Sequence, residues 1–405
     1  MSNNVYTGPV IKARAIVLVS GLCRLFNVCT VQRVHTEGEL QQKCPIPMHT
    51  TVIKKLKSVT HSCKSAIQST SFGKAYTKRK LQRRWAEFSA QNPNLVDYDK
   101  PYRKPGQLVL KLKSEGLAVP NRAFAEKVIF RENYYRFKAY CIPFWDKTID
   151  RFHSGTTFDD LYGLYCADQK LREFLIPLLA ELEVRIRGTV DNVVTGITND
   201  PFWHINKGYF KNYSDVERAL SKTQQRFNHG KQEFAIHYRG KYFTKRSYDH
   251  RHMPPFWIIS EIFTIEQLLS VCKSLNEKCP EFVGPANSNK LVAAATPFGI
   301  DSYNSLMTNL KCILELRNVC AHHSRLWNRN LQLPAGLKNK HSINVTHPNR
   351  LYSHLLMIRL ACKTQGIADG IEPFMTKMFT TVPVFARDMA NMGFPANWQN
   401  DTIWV

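Results

Sequence analysis

Residues 156–194 read TTFDDLYGLYCADQKLREFLIPLLAELEVRIRGTVDNVV. Leu161, Leu164, Leu171, Phe174, Leu175, Leu178, Leu179, Leu182 and Ile186 return every three or four residues along much of this stretch, the spacing of one face of a helix. Thr156-Thr157-Phe158-Asp159 is a helix-start signal, and Asp159 and Asp160 fall in the first turn, where the helix dipole favours negative charge. A second helix is expected over 255–275, opened by Pro254-Pro255. Residues 106–117 (GQLVLKLKSEGL) fit either a strand or a helix. Long strand-like alternation is rare elsewhere, and the chain holds no G-x-G-x-x-G, no Walker loop and no repeat of fixed period. The expected fold class is mostly α.

Composition narrows the partner. Of 405 residues, 43% are apolar and 22% charged, which is ordinary for a chain that buries a full core and excludes disordered and collagen-like classes. Fifty-six Lys and Arg against 32 Asp and Glu leave a net charge of +24. A surplus of that size calls for a polyanion, either nucleic acid or an anionic membrane surface. The apolar run Ala15–Cys23 is too short to span a bilayer, which takes about 20 residues. It follows Lys12 and Arg14 as in a signal peptide, but no small-x-small cleavage site comes after it. A buried strand or helix is expected there, and no membrane partner. The 11 cysteines include no C-x-x-C, which fits a reducing compartment. His250, His252 and the adjacent His322-His323 lack paired cysteines at ligand spacing, so no metal and no cofactor are expected.

Charge also divides the chain. Residues 1–100 hold sixteen basic and five acidic side chains. From Phe72 the pattern becomes that of a basic amphipathic helix, with Leu81, Trp85 and Phe88 on one side and Arg79, Lys80 and Arg83 on the other. Asn92-Pro93-Asn94 ends it. The expected organisation is a basic N-terminal extension of unknown fold over 1–97 and a helical domain over 98–405.

Ser305 to Trp327 reads SLMTNLKCILELRNVCAHHSRLW. Leu306, Leu310, Ile313 and Leu314 form a helical stripe whose next members are Arg317 and Ala321. Asn318 and His322 share a face one turn apart. One reading is structural: Arg317 buried in an ion pair with a core carboxylate such as Asp168 or Glu183. The other is chemical: His322 as general acid or base on a ribose 2′-OH, Arg317 clamping the scissile phosphate, and Asn318 orienting the imidazole or donating to a phosphate oxygen.

RNVCAHHSRLWNR (317–329) resembles the signature of the AbiD/AbiF-like abortive-infection proteins, which are similar to the HEPN superfamily with its R-N-x3-H ribonuclease motif. Further blocks resemble the family in order: KPGQLVLKL with EGL (104–117), NYYRFKAY (133–140), GTTFDDLYGLYCADQKLR (155–172), ELEVRIR (181–187), MPPFWIISEI (253–262) and MGFPANWQNDTIWV (392–405). The resemblance spans about residues 100–405. IFTIEQLLS (262–270) departs from the family's usual Phe-Gly, a difference confined to the local turn. The resemblance implies an HEPN-type helical bundle and catalytic Arg317, Asn318 and His322, with His323, Asp168 and Glu183 as further or supporting candidates. It also implies a cytoplasmic phage-defence toxin acting as a homodimer, with two motifs facing one cleft, and restraint by a structured noncoding RNA.

RNA contacts are expected from two basic stretches and one neighbour of the motif. The extension offers Lys54, Lys55, Lys57, Lys78, Arg79, Lys80, Arg83 and Arg84. The stretch 239–252 (RGKYFTKRSYDHRH) offers Arg239, Lys241, Lys245, Arg246 and Arg251, and Arg325 follows the motif. Tyr134-Tyr135-Arg136, Phe202-Trp203-His204, Tyr238-Arg239 and Arg325-Leu326-Trp327 interleave aromatic and basic residues, for base stacking or for helix packing. Three functions follow: a metal-independent endoribonuclease, a non-catalytic RNA-binding scaffold of the same fold and, last, a DNA binder, for which no helix-turn-helix signal exists.

Overall fold

The computed structural model describes residues 78–338 and 340–405, and of residues 78–80 only the backbone. The run Ala15–Cys23, Lys54, Lys55 and Lys57 lie outside the described residues, as do the side chains of Lys78, Arg79 and Lys80. The chain divides into two units, Met1–Pro101 and Tyr102–Val405.

In the first unit, helix α1 covers Lys78–Gln91. It stops where Asn92 turns its side-chain amide onto the Phe88 carbonyl at 2.9 Å. Leu81, Trp85 and Phe88 lie on one face as the spacing requires, and all three are exposed. Trp85 and Phe88 meet edge to face at 5.8 Å, and Arg83 pairs with Glu87 at 3.1 Å.

The second unit is built around one helix. α2 (Pro105–Ser114), α3 (Arg122–Glu132) and the short α4 (Tyr134–Lys138) lead to a two-residue hairpin, in which β1 (Trp145–Asp146) pairs antiparallel with β2 (Arg151–Phe152), Trp145 opposite Phe152. The long α5 then runs over Phe158–Thr198, about 60 Å at 1.5 Å per residue. It starts where the sequence signals: the Thr157 hydroxyl accepts from the Asp160 N–H, and the Asp160 carboxylate accepts from the Thr157 N–H, a reciprocal cap. Leu161, Leu164, Leu171, Leu175, Leu179, Leu182, Ile186, Val190 and Val194 are buried along it. Full burial stabilises each Leu-sized side chain by about 1.5–3 kcal/mol, so this stripe organises the bundle.

Around α5 stand α6 (Tyr213–His229), α7 (Glu233–Lys241), α8 (Phe256–Ile259), α9 (Ile265–Lys273), α10 (Tyr303–Ala321), α11 (Leu351–Gln365), α12 (Ile371–Thr381) and α13 (Pro383–Arg387). α10 and α11 pack on α5, and α9 packs on α6 and α10. The C-terminal residues close the core with Tyr352, Phe394, Trp398 and Trp404 in mutual ring contact. The mostly α class is thus what the chain adopts, and the ambiguous stretch 106–117 is helical through Ser114.

One expected helix is two. Residues 255–275 form α8, a 3-10 turn at Ser260–Ile262 and then α9, because Thr264 and Gln267 make a fresh N-terminal cap that restarts the chain. Among the described residues no helix is long and apolar enough to cross a membrane.

Candidate functional site

The last turn of α10 does not run as the simple stripe predicts. Leu306, Leu310 and Ile313 are buried, but the covered face then moves to Cys312, Leu316, Val319 and Cys320. Arg317, in line with the first stripe, emerges beside it with 46% of its side chain exposed. Helices that cross at an angle cover a face that shifts along their length, and a straight stripe misses the shift. Arg317 is therefore not the buried cation expected.

Its partners are themselves partly buried. Arg317 Nε is 4.0 Å from Glu183 Oε2, and its Nη1 donates to Asn318 Oδ1 at 3.3 Å. Asn318 thus steadies the guanidinium and holds no imidazole. Glu183, 14% exposed on α5, also pairs with Arg187 at 3.1 Å, and Arg187 reaches Glu261 at 3.9 Å.

His322 is the C-cap of α10, and its N–H closes the final turn onto the Asn318 carbonyl at 3.0 Å. Next, His323 takes a left-handed conformation, φ +52°. Its N–H reaches the Cys320 carbonyl and the Ser324 N–H the Val319 carbonyl, the pattern of a helix end that usually holds glycine at this place. Both histidines are exposed. The His322 imidazole has no hydrogen-bond partner among the described residues, which leaves it open to an incoming ligand.

Asp168 is buried, as one reading required, but its cation is Arg172 one turn along α5, not Arg317. It also accepts from Tyr140 Oη at 2.6 Å, from Trp327 N at 2.6 Å and from Leu326 N at 3.2 Å. Burial pushes this carboxyl up; the Arg172 guanidinium, the Tyr140 hydroxyl and the two N–H groups pull it back toward the ionised form. Burial, then Asp168, raises Tyr140 in turn. Asp168 sets the loop after the motif and has no access to a ligand.

The second basic stretch is partly occupied. Arg239 spends its guanidinium on the carbonyls of Phe227 and Gly230, capping α6 from within α7, so it is not a free RNA contact. Arg246 lies 3.8 Å from Asp200, and Arg251 stacks 4.5 Å over Tyr248. Lys241 sits over Tyr242 at 5.3 Å, Lys245 is exposed, and Arg325 lies 5.7 Å over Trp327. Of the interleaved aromatics, Trp203 and Trp327 are core, while Tyr135 is 86% exposed. His250 is buried against Gln224, and among the described residues no group of three or more His, Cys, Asp and Glu could hold a metal.

Residues 127–328 match the family model described as Abi-like protein. By this match the span, just under half of the chain, is similar to an abortive-infection family. The Abi-like span opens inside α3 and closes one residue past Trp327, so it takes in Arg136, Asp168, Glu183 and the whole Arg317–Trp327 segment. No curated protein and no solved structure matched the chain.

Tyr140 and Arg172, the donors that make Asp168 tolerable in the core, were not singled out from the sequence. Their signal was there: both lie in blocks that resemble the family, and Arg172 follows Asp168 by four on a helix.

Two stability changes follow. Asp168→Asn leaves Arg172 buried without a counter-charge and should cost about 3–5 kcal/mol in urea denaturation. His323→Gly relieves a left-handed residue and should gain about 0.5–1 kcal/mol net of glycine's greater unfolded-state freedom, whereas His323→Ala should not.

Proposed function

We propose that the protein is a phage-defence endoribonuclease of HEPN type. The observation that carries the reading is the pairing, at one exposed helix end, of a guanidinium steadied from two sides with an imidazole left open. A core ion pair would have consumed Arg317; here its outer edge faces solvent.

The chemistry such a pair supports is attack by an internal 2′-OH. His322 takes the 2′-OH proton, the 2′-oxygen bonds to phosphorus, and Arg317 neutralises the charge gathering on the phosphoryl oxygens. The 5′-oxygen leaves with a proton from a second acid, either His323 or the His322 of a second copy. α5 leaves Ile176 and Val184 exposed on the helix that carries Glu183, an apolar edge that a second copy would cover. The charge of +24 supplies phosphate attraction, with Lys241, Lys245, Arg246 and Arg251 near one another on the chain as further RNA contacts. A cytoplasmic setting and restraint by a structured RNA complete the reading by family resemblance.

Purified protein should cleave RNA in EDTA and leave 2′,3′-cyclic phosphate and 5′-OH ends. His322→Ala and Arg317→Ala should each lower cleavage by about 10²–10⁴-fold while RNA binding stays nearly intact. Arg317→Ala should also fold normally, because its side chain is at the surface. Both variants cutting as well as the parent would contradict the assignment of the chemistry to this helix end, and a parent that binds RNA without cutting it would leave an RNA-binding scaffold.

A further inference from the structure

The segment that follows the motif is held at both ends by one stretch of chain. From residues 133–140, Arg136 on α4 reaches out to the surface, and its Nη1 donates to the His323 carbonyl at 2.6 Å. Four residues later Tyr140 turns inward to Asp168, which grips the N–H groups of Leu326 and Trp327. Arg136 is itself set by a firm start to α4: Asn133, at φ +65°, accepts the Tyr135 N–H at 2.8 Å, and its carbonyl accepts from Phe137 at 3.1 Å.

The carbonyl that Arg136 holds is a telling one. It belongs to His323, the residue in the left-handed conformation, whose φ fixes the direction in which the chain leaves α10. A side chain with a β-carbon stays in that region only when its surroundings hold it there. Asp168 secures positions 326 and 327, and helix-end bonds secure the N–H groups of 322, 323 and 324. The His323 carbonyl is answered instead by a cation from 187 positions away in the sequence.

We infer that Arg136 is a positioning residue for the reaction: by holding the His323 carbonyl it keeps the turn left-handed and the His322 imidazole in register with Arg317. This rests on the nuclease reading above and adds to it a residue that touches neither RNA nor the reacting atoms. A charge-assisted bond to a carbonyl is directional and strong for a single contact, so a shift in it moves the turn as a unit.

The test compares the full chain with Arg136→Ala and Arg136→Lys in steady-state cleavage of a labelled RNA and in amide hydrogen exchange. Arg136→Ala should lower kcat by roughly 10- to 100-fold with KM unchanged, as a catalytic group displaced by about 1 Å does. Exchange at His323 and Ser324 should quicken by about tenfold, while Leu326 and Trp327, held by Asp168, keep their protection. Arg136→Lys, which keeps a cationic donor, should restore most of kcat and of the protection. A parent that cuts and an Arg136→Ala protein that cuts equally well would overturn the inference alone. So would a loss that falls on KM and grows with salt, which marks a phosphate contact. A parent that does not cut RNA at all overturns the nuclease reading, and this inference with it.

Discussion

The Asp168 carboxylate lies fully buried among four donors: the Arg172 guanidinium, the Tyr140 hydroxyl and the backbone N–H groups of Leu326 and Trp327. These come from α5, from the chain just after α4, and from the loop after α10. A lone ionised carboxylate in a core is prohibitively unstable, and four donors are what make this one tolerable. The same requirement fixes where the loop must run. Because Leu326 and Trp327 are drawn inward to Asp168, the residues just before them are presented outward at the end of α10, and His322 and His323 stand there, just beyond Arg317.

The division of labour between inside and outside follows. The charges that hold the structure are buried and paired, whereas those that could meet a ligand are exposed and only partly engaged. Glu183 illustrates the boundary: it faces Arg187 in a half-buried pair and Arg317 at 4.0 Å, so it tethers the surface guanidinium without enclosing it. Such a pair is worth little to stability, which leaves Arg317 free to exchange water for phosphate. The left-handed His323 is the one place in the turn where the backbone is held against its preference, and it adjoins the open imidazole.

Much of this was legible in the sequence, for identifiable reasons. α5 could be read because a cap at Thr157 and a stripe from Leu161 to Ile186 agree, local and tertiary signals pointing the same way. The break at Thr264 was hidden because Ile262, Ile265 and Leu268 keep an apolar spacing across it, and the Thr264–Gln267 cap was the overlooked cue. Arg317, Asn318 and His322 were found as a group, but the burial of Arg317 was not as expected, since a helix wheel carries no record of the angle at which a neighbour crosses. Of the two carboxylates considered for Arg317, Glu183 is the one it faces, whereas the buried Asp168 takes Arg172 at the next turn. Arg136 had no local signal for its role: its partner is a backbone carbonyl far along the chain, and no side-chain pattern encodes that.

The most direct measurement uses an RNA cut at one mapped position, remade with a single 2′-deoxy nucleotide on the 5′ side of that bond. If His322 works by activating the internal 2′-OH while Arg317 holds the phosphate, the substituted bond should not be cleaved, although the RNA binds as before. Cleavage of the deoxy bond at the rate of the ribose one would show that the nucleophile comes from elsewhere, and would contradict the chemistry assigned to this helix end.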